Sequence, residues 1–397
     1  MVVHITRGAS KSQRLTPQFR FGVRSEHWLI MAFWTHLVVI VTLWAFQDGV
    51  MSQNKNETNF RQKRLFSIFN IVTFKNDPCT TTGAGNLRGT CMDSTSCSSK
   101  GGTASGNCAA GFGVCCLFIV NGACTAEQTI FQNCTYIRND GYPAADTTAS
   151  ETCEYKFNRI SENLCQIRLD FETLKTEFDS TGACGTAADA ITVRSPFSNT
   201  DNGFPPTVCG TLTGQHMYFE TGNTDTTAGT LAISKGTGAG SRSYEIKVTY
   251  LTCDNTAKAP EGCTQYFTGE SGSLQSYNFA NGQLLTKQNY QNCFRQEEGY
   301  CRLQIRESAV TTPDPFALSN TATDAETDCQ PVSTLSFPSG VHSGYCGGAL
   351  NTVDTSTDPV AQTSVPGSPF QVGLRTLETT LAGFTGFNLD FKQIPCD

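Results

Sequence analysis

The chain has 397 residues, 19 cysteines, 16% charged residues and a formal net charge of -7, enough length for two or three domains. Residues 1–64 carry nine Lys/Arg against three Asp/Glu, so the remainder, with 19 against 32, is acidic; an acidic body argues against DNA or RNA as partner, since nucleic acid needs basic surface to displace its counterions. All the cysteines lie at or beyond Cys79 and no CxxC pair occurs, which argues against structural zinc and predicts a disulfide framework made in an oxidising compartment.

Trp28 to Phe46 is an apolar run with only Thr35, His36 and Thr42 polar, and Arg7, Lys11, Arg14, Arg20 and Arg24 precede it. Basic residues stay on the cytoplasmic side, so the rest of the chain crosses the membrane. Two readings follow for residues 1–46: a cleaved signal peptide, or an uncleaved anchor of spanning length. Met31 offers a second start inside the run, with a cut near Ala45. Residues 47–64 read as a propeptide or linker. They end in Arg61-Gln62-Lys63-Arg64, a basic tetrad that resembles the site cut by furin-like convertases and would free the ectodomain as a secreted protein. Asn56-Glu57-Thr58 and Asn133-Cys134-Thr135 are glycosylation sequons at Asn56 and Asn133.

The next segment, 65–120, holds Cys79, Cys91, Cys97, Cys108, Cys115 and Cys116, separated by 11, 5, 10, 6 and 0 residues. Gly, Ser, Thr and Asn fill the intervals, and so short a stretch needs staples to fold. Six cysteines allow 15 pairings, and spacing alone does not choose among them. The order, with Gly83, Gly85 and Gly89 in the first loop and GFGVCC at the end, resembles the clip module of arthropod proteins. That resemblance implies Cys79–Cys115, Cys91–Cys108 and Cys97–Cys116. Clip modules often precede a serine protease, but no GDSGG nucleophile region follows here, and no histidine lies between Cys116 and His216. A Ser-His-Asp triad therefore has no supporting motif.

Beyond Cys124 the chain repeats itself. Cys124 to Cys153 spans 29 positions and Cys263 to Cys293 spans 30. Cys165 and Cys301 each open a strand-like run, CQIRLDF and CRLQIRE. In the first of these Ile167, Leu169 and Phe171 alternate with polar residues, the period of a half-buried strand. Ile191 and Val193 begin another. Each unit later has Cys-Gly, at Cys209-Gly210 and Cys346-Gly347, and ends in an alternating strand and a cysteine, YEIKVTYLTC (244–253) and GFNLDFKQIPC (386–396). Tyr218, Phe219, Tyr250 and Phe279 read as core, and Pro359 to Pro369 as a surface loop.

This pattern resembles the CUB domain, through Asn139-Asp140-Gly141-Tyr142-Pro143, Leu169-x-Phe171-x-x-Leu174, Gly272 to Phe279 and Gly383 to Phe391. The resemblance implies an all-β fold: two tandem antiparallel β-sandwiches (CUB-like jelly rolls), at 124–253 and 254–397, preceded by the small disulfide-rich module. The whole arrangement looks like a family of secreted arthropod proteins. The resemblance also implies Cys124–Cys153, Cys184–Cys209, Cys263–Cys293 and Cys329–Cys346. Cys134 and Cys165 are then left to pair in the first unit, Cys301 takes either Cys253 or Cys396, and one cysteine is left over.

Many CUB domains bind calcium, which wants several converging hard oxygens. On that resemblance Glu177 and Asp189 are the expected ligands in the first unit, with Asp225 as a third only if its loop bends back. The second unit lacks the matching carboxylates. The reading of function that follows is a secreted, non-enzymatic binding protein that presents its sandwiches to an extracellular protein or glycan, with calcium as a possible cofactor and membrane contact only if the anchor stays uncleaved. Two alternatives stand beside it: a non-catalytic regulator of an extracellular protease cascade acting through the clip-like module, and a structural matrix component, suggested by the Gly/Ser/Thr richness and the odd cysteine.

Overall fold

A computed structural model describes residues 73–397 except 84, 123, 199–203, 222–225, 239, 320–328, 330–331, 341, 354–357, 378 and 397. The apolar run, the tetrad Arg61, Lys63 and Arg64, and the sequon at Asn56 lie outside the described residues, as does Asp225. Among the described residues no helix is long and apolar enough to cross a membrane.

The cysteine-rich segment forms β1 (Pro78–Thr80), β2 (Arg88–Met92), the short helix α1 (Ser94–Ser99), β3 (Thr103–Cys108) and β4 (Gly113–Gly122). Asp93 caps α1, its Oδ1 accepting the Ser96 N–H at 2.8 Å. Three disulfides, Cys79–Cys115, Cys91–Cys108 and Cys97–Cys116, hold the module. Its apolar interior is small, with Met92, Phe118, Val114 and the Cys97–Cys116 sulfurs in one cluster. The module does not end where its cysteines end. β4 pairs with β2 and β3 over its first half, and then runs parallel to β6 (Thr135–Asn139), from Phe118 opposite Thr135 to Gly122 opposite Asn139. The expected boundary at residue 120 therefore falls inside a strand.

The first sandwich adds β5 (Gln128–Ile130), β7 (Thr152–Asn158), β8 (Leu164–Lys175), β9 (Ala190–Arg194), β10 (His216–Glu220), β11 (Thr227–Ser234) and β12 (Ser243–Thr252). One sheet runs β1-β2-β4-β6-β12-β8-β10 and the other β5-β7-β11-β9. Ile167, Leu169 and Phe171 of β8 face Tyr155, Phe157, Leu231 and Ile233 across a closed core. Strict alternation would turn Leu174 outward, yet it is fully buried. A β-bulge absorbs the extra residue: Ile246 pairs with Phe171 and Glu245 with Thr173, leaving Glu172 unpaired and exposed.

The second sandwich comprises β13 (Cys263–Phe267), β14 (Ser271–Gln275), β15 (Asn289–Phe294), β16 (Tyr300–Glu307), β17 (Phe316–Ala317), β18 (Thr334–Ser336), β19 (Gly344–Tyr345), β20 (Gln362–Thr363), β21 (Gln371–Arg375) and β22 (Gly386–Pro395). Its sheets run β14-β22-β16-β20, with β17 beside β22, and β13-β15-β21-β18-β19. Strand for strand this is the order of the first sandwich: β6-β12-β8-β10 matches β14-β22-β16-β20, and β5-β7-β11-β9 matches β13-β15-β21-β18. The protein is an all-β chain of two sandwiches behind a disulfide-rich region. The sheets are not wholly antiparallel, because β5 with β7, β13 with β15, and β4 with β6 pair in parallel.

The disulfides repeat with the strands. Cys124–Cys153 and Cys263–Cys293 tie the edge-sheet entries, and Cys184–Cys209 and Cys329–Cys346 close the long loops. Cys165–Cys253 and Cys301–Cys396 lock the start of β8 and β16 to the residue after β12 and β22. This corrects the expected pairing of Cys134 with Cys165. β8 and β12 are antiparallel neighbours; the register slips between Gln166 opposite Leu251 and Leu164 opposite Thr252, so Cys165 sits in the bulge, one residue from the Leu164–Thr252 pair that Cys253 follows. Cys134 keeps a free thiol.

A seam joins the two sandwiches. Tyr266 of β13 donates its N–H to Nε2 of His216 on β10 at 2.9 Å, and the Tyr277 hydroxyl donates to the His216 carbonyl at 2.8 Å. Gln166 and Ala259 exchange two bonds of 2.9 Å. The Thr211 N–H reaches Asn278 Oδ1 at 3.1 Å, and Gln288 Nε2 reaches the Thr207 carbonyl at 2.9 Å. Gly210 sits at φ +86 against Asn278, where a Cβ would overlap the side chain, so the Cys-Gly dipeptide of the first unit is a docking point as well as a turn.

Candidate binding surface

At one end of the first sandwich, β6, β8 and β11 finish and β7, β9 and β12 begin, and three loops close it: residues 140–151, 176–189 and 235–242. Asp189 and Arg242, each at 0% exposure, form its centre. Arg242 Nη2 donates to Asp189 Oδ1 and Nε to Oδ2, both at 2.9 Å. The remaining guanidinium N–H groups reach the carbonyls of Gly238 at 3.0 Å, Gly240 at 3.1 Å and Thr148 at 3.2 Å. Asp189 in turn accepts the Gly236 N–H on Oδ1 and the Glu177 N–H on Oδ2, each at 2.8 Å. All five guanidinium donors are used, and one residue pair ties three loops. Hydrogen bonding to Asp189 raises Arg242 above the ordinary arginine value.

A second buried cation lies beside the first. The Lys235 ammonium, fully enclosed, pairs with Asp146 and Glu151. Burial works against ionisation of Asp146, but the bonds from Lys235 and from the Thr148 N–H hold its carboxyl below the ordinary value. Phe178, in the same set of loops, stays 37% exposed.

In this arrangement the two residues expected to bind calcium are engaged by other partners. Glu177 and Asp189 do approach one another, through the Glu177 N–H, but their carboxylates are not left open to a metal. The oxygens of Asp189 already accept from Arg242, Gly236 and Glu177, and a guanidinium holds the position where the charge of an ion would be balanced. Glu177 turns away to lie over Gly240, its Oε1 accepting the Ser241 N–H at 3.2 Å. Calcium wants six or more free oxygens, and these residues do not fit it. Cys124, Glu151 and Cys153 also converge, but the two sulfurs are joined in a disulfide and offer no thiolate. Nothing in the sequence set Arg242 apart from other basic residues ahead of a strand. Its partner loops come from three distant stretches, and only folding brings them together.

Hollows also open elsewhere among the described residues. One lies on the outer face of β14, β22 and β16, where Arg306 pairs with Asp390 at 3.2 Å beside Ser273 and Lys392. A second lies between the loop after β16 and Pro359-Val360. A third runs between the module and the first sandwich, past Phe131, Asn133 and Cys134. Tyr218, Phe219, Tyr250 and Phe279 are all core. His216 is the first residue of β10 and is buried in the seam. Burial, with Arg168 adding to it, lowers its pKa from 6.5 to about 3.

Residues 260–394, which span the second sandwich, match the family model described as Animal CUB domain. No curated protein matches the chain. Among solved structures, the chain is similar to the CUB1-EGF-CUB2 domains of rat MASP-1, with 12% identity, a TM-score of 0.25, and 67% of this chain and 100% of that one covered. It is similar to the CUB1-EGF-CUB2 domain of human MASP-1/3, with 13% identity, a TM-score of 0.23, and 65% and 98% covered. The full extracellular region of zebrafish Gpr126/Adgrg6 matches with 11% identity, a TM-score of 0.24, and 69% and 34% covered. The second sandwich thus matches that family model over residues 260–394, and the first sandwich has the same strand order.

Proposed function

We propose that the protein is a secreted, non-catalytic binding protein whose two CUB-type sandwiches present loops to an extracellular protein or glycan, in the manner of the secreted arthropod proteins that carry a clip-like module before such domains. The observation that carries this reading is the loop end of the first sandwich. Its backbone is fixed from beneath by two buried cations and the Cys184–Cys209 bond, while Phe178 points outward. Loops held rigid on a sheet scaffold lose little entropy when a partner binds. Nine disulfides support an oxidising, extracellular setting. Release by cutting after Arg64 belongs to the same proposal.

A second reading has its own observation. Phe112, at the tip of the module, is 65% exposed, and a single large apolar side chain on a stapled turn suits insertion into a partner's pocket. This favours a regulator of an extracellular protease cascade acting through the module. Capture from extracellular fluid on the immobilised secreted protein separates the two. Under the leading reading, a partner is retained by the wild type, lost on Phe178→Asp and kept on Phe112→Asp. The opposite pattern, with a protease captured, favours the module. A partner that ignores both substitutions overturns the assignment of this surface.

A further inference from the structure

The groove between the module and the first sandwich has a volume of about 580 Å³ and an unusual floor. Phe131 is 56% and Ile160 40% exposed at its edge. Met92 and Pro78 line the module side. Cys134, the only free cysteine among the described residues, lies between them, half-buried. Next to it stands Asn133, the acceptor of the Asn133-Cys134-Thr135 sequon.

The Asn133 side chain is oriented. Its Oδ1 accepts the Tyr250 N–H at 2.9 Å and the Cys134 N–H at 2.8 Å, completing the β12 ladder where β6 has stopped. Its Nδ2 makes no hydrogen bond among the described residues and is not a buried atom, so it opens on the groove. Glycosylation uses the nitrogen and leaves the carbonyl oxygen as an acceptor. A sugar on Nδ2 is therefore compatible with every bond that the side chain makes.

We infer that Asn133 carries an N-linked glycan whose first sugars lie along this groove, over Phe131 and Ile160, and cover the Cys134 thiol. The inference rests on the export reading above, because the donor, an oligosaccharide on a lipid diphosphate, exists only in the secretory pathway. In the transfer, the Nδ2–anomeric carbon bond forms, the bond from that carbon to the diphosphate oxygen breaks, and one amide proton leaves with the diphosphate. Sugar rings present an apolar C–H face that packs on an aromatic ring, while their hydroxyls meet Gln132 and Asn158, polar neighbours in the same groove. The glycan would thus explain three features at once: a sequon in an ordered turn, apolar side chains left in water, and an unpaired thiol in a chain whose other described cysteines are all bonded.

The test uses the full chain secreted by glycosylating animal cells. Peptide mapping of the secreted protein should find a glycan on the Asn133 peptide. The folded protein is then treated with an amidase that removes the whole glycan and converts the Asn133 amide to a carboxylate, which can still accept the Tyr250 N–H. Maleimide labelling of Cys134 should become several-fold faster after treatment, with the circular dichroism spectrum unchanged. A secreted chain with a bare Asn133 overturns the inference and leaves export standing. A chain that never enters the secretory pathway overturns both. A glycan at Asn133 whose removal leaves the labelling rate unchanged overturns the groove placement.

Discussion

Asp189 and Arg242 owe their effect to completeness. A buried ion pair recovers its desolvation cost only when every remaining donor and acceptor is satisfied, and removing one partner strands a buried charge. Here no donor is left over, so Arg242→Met should destabilise the protein by about 3–5 kcal/mol, read as a lower urea midpoint. The same pair predicts that calcium and chelator leave the melting temperature of the wild type unchanged. A rise with millimolar calcium would mean that the carboxylates reorganise around an ion and that the guanidinium is no substitute for it. The acidic half of this centre was legible in the sequence, because a carboxylate after the loop cysteine matches a family pattern. The basic half was not, since an arginine ahead of a strand is ordinary until the chain brings Thr148, Gly238 and Gly240 around it.

At the scale of strands, β10 and β13 form a contact that no local pattern announces. His216 opens β10, and its ring is packed edge-on against Phe267 of the other sandwich at 5.2 Å and against Tyr218 of its own strand at 5.6 Å between centroids. His216 binds a proton in the folded state only near pH 3, but near pH 6.5 when unfolded. Between those values the unfolded chain holds more protons, so the contribution of His216 is fully present above about pH 6.5 and is lost as pH falls towards 3, at about 1.4 kcal/mol per unit. The urea midpoint of the wild type should accordingly drop further between pH 7 and 4.5 than that of His216→Gln. Equal drops would place the histidine in contact with water. The strands themselves were largely readable. Alternation in CQIRLDF gave β8 up to Phe171, and the bulge at Glu172 was invisible because it answers to β12 rather than to its own sequence. The partner of Cys165 was missed for the same reason: proximity across a ladder is set by register, and the two cysteines lie 88 positions apart.

Taken whole, the described chain is less divisible than its repeats suggest. Most buried apolar residues of both sandwiches belong to one cluster, from Ile130 to Phe391, and a second, small one joins Tyr218 and Leu251 of the first sandwich to Cys263 and Cys293 of the second; the seam adds hydrogen bonds that neither sandwich could satisfy alone. Calorimetry of the secreted protein should therefore show one unfolding transition for the pair. Gly210→Ala, which forces a Cβ against Asn278 at a positive φ, should lower that transition and split it. Two well-separated peaks in the wild type would reveal sandwiches that merely touch. β4 carries the same indivisibility towards the N-terminus. Exchange of modules between genes works best when the exchanged piece carries away only its own backbone bonds. A cut anywhere between Phe118 and Gly122 would instead strip β6 of its neighbour and leave a raw edge, open to pairing with any other chain. The cysteine block is thus a poor candidate for transfer on its own. Its heritable unit is the block together with the first sandwich, because β6 is covered by β4 whereas its counterpart β14 in the second sandwich is built as a sheet edge.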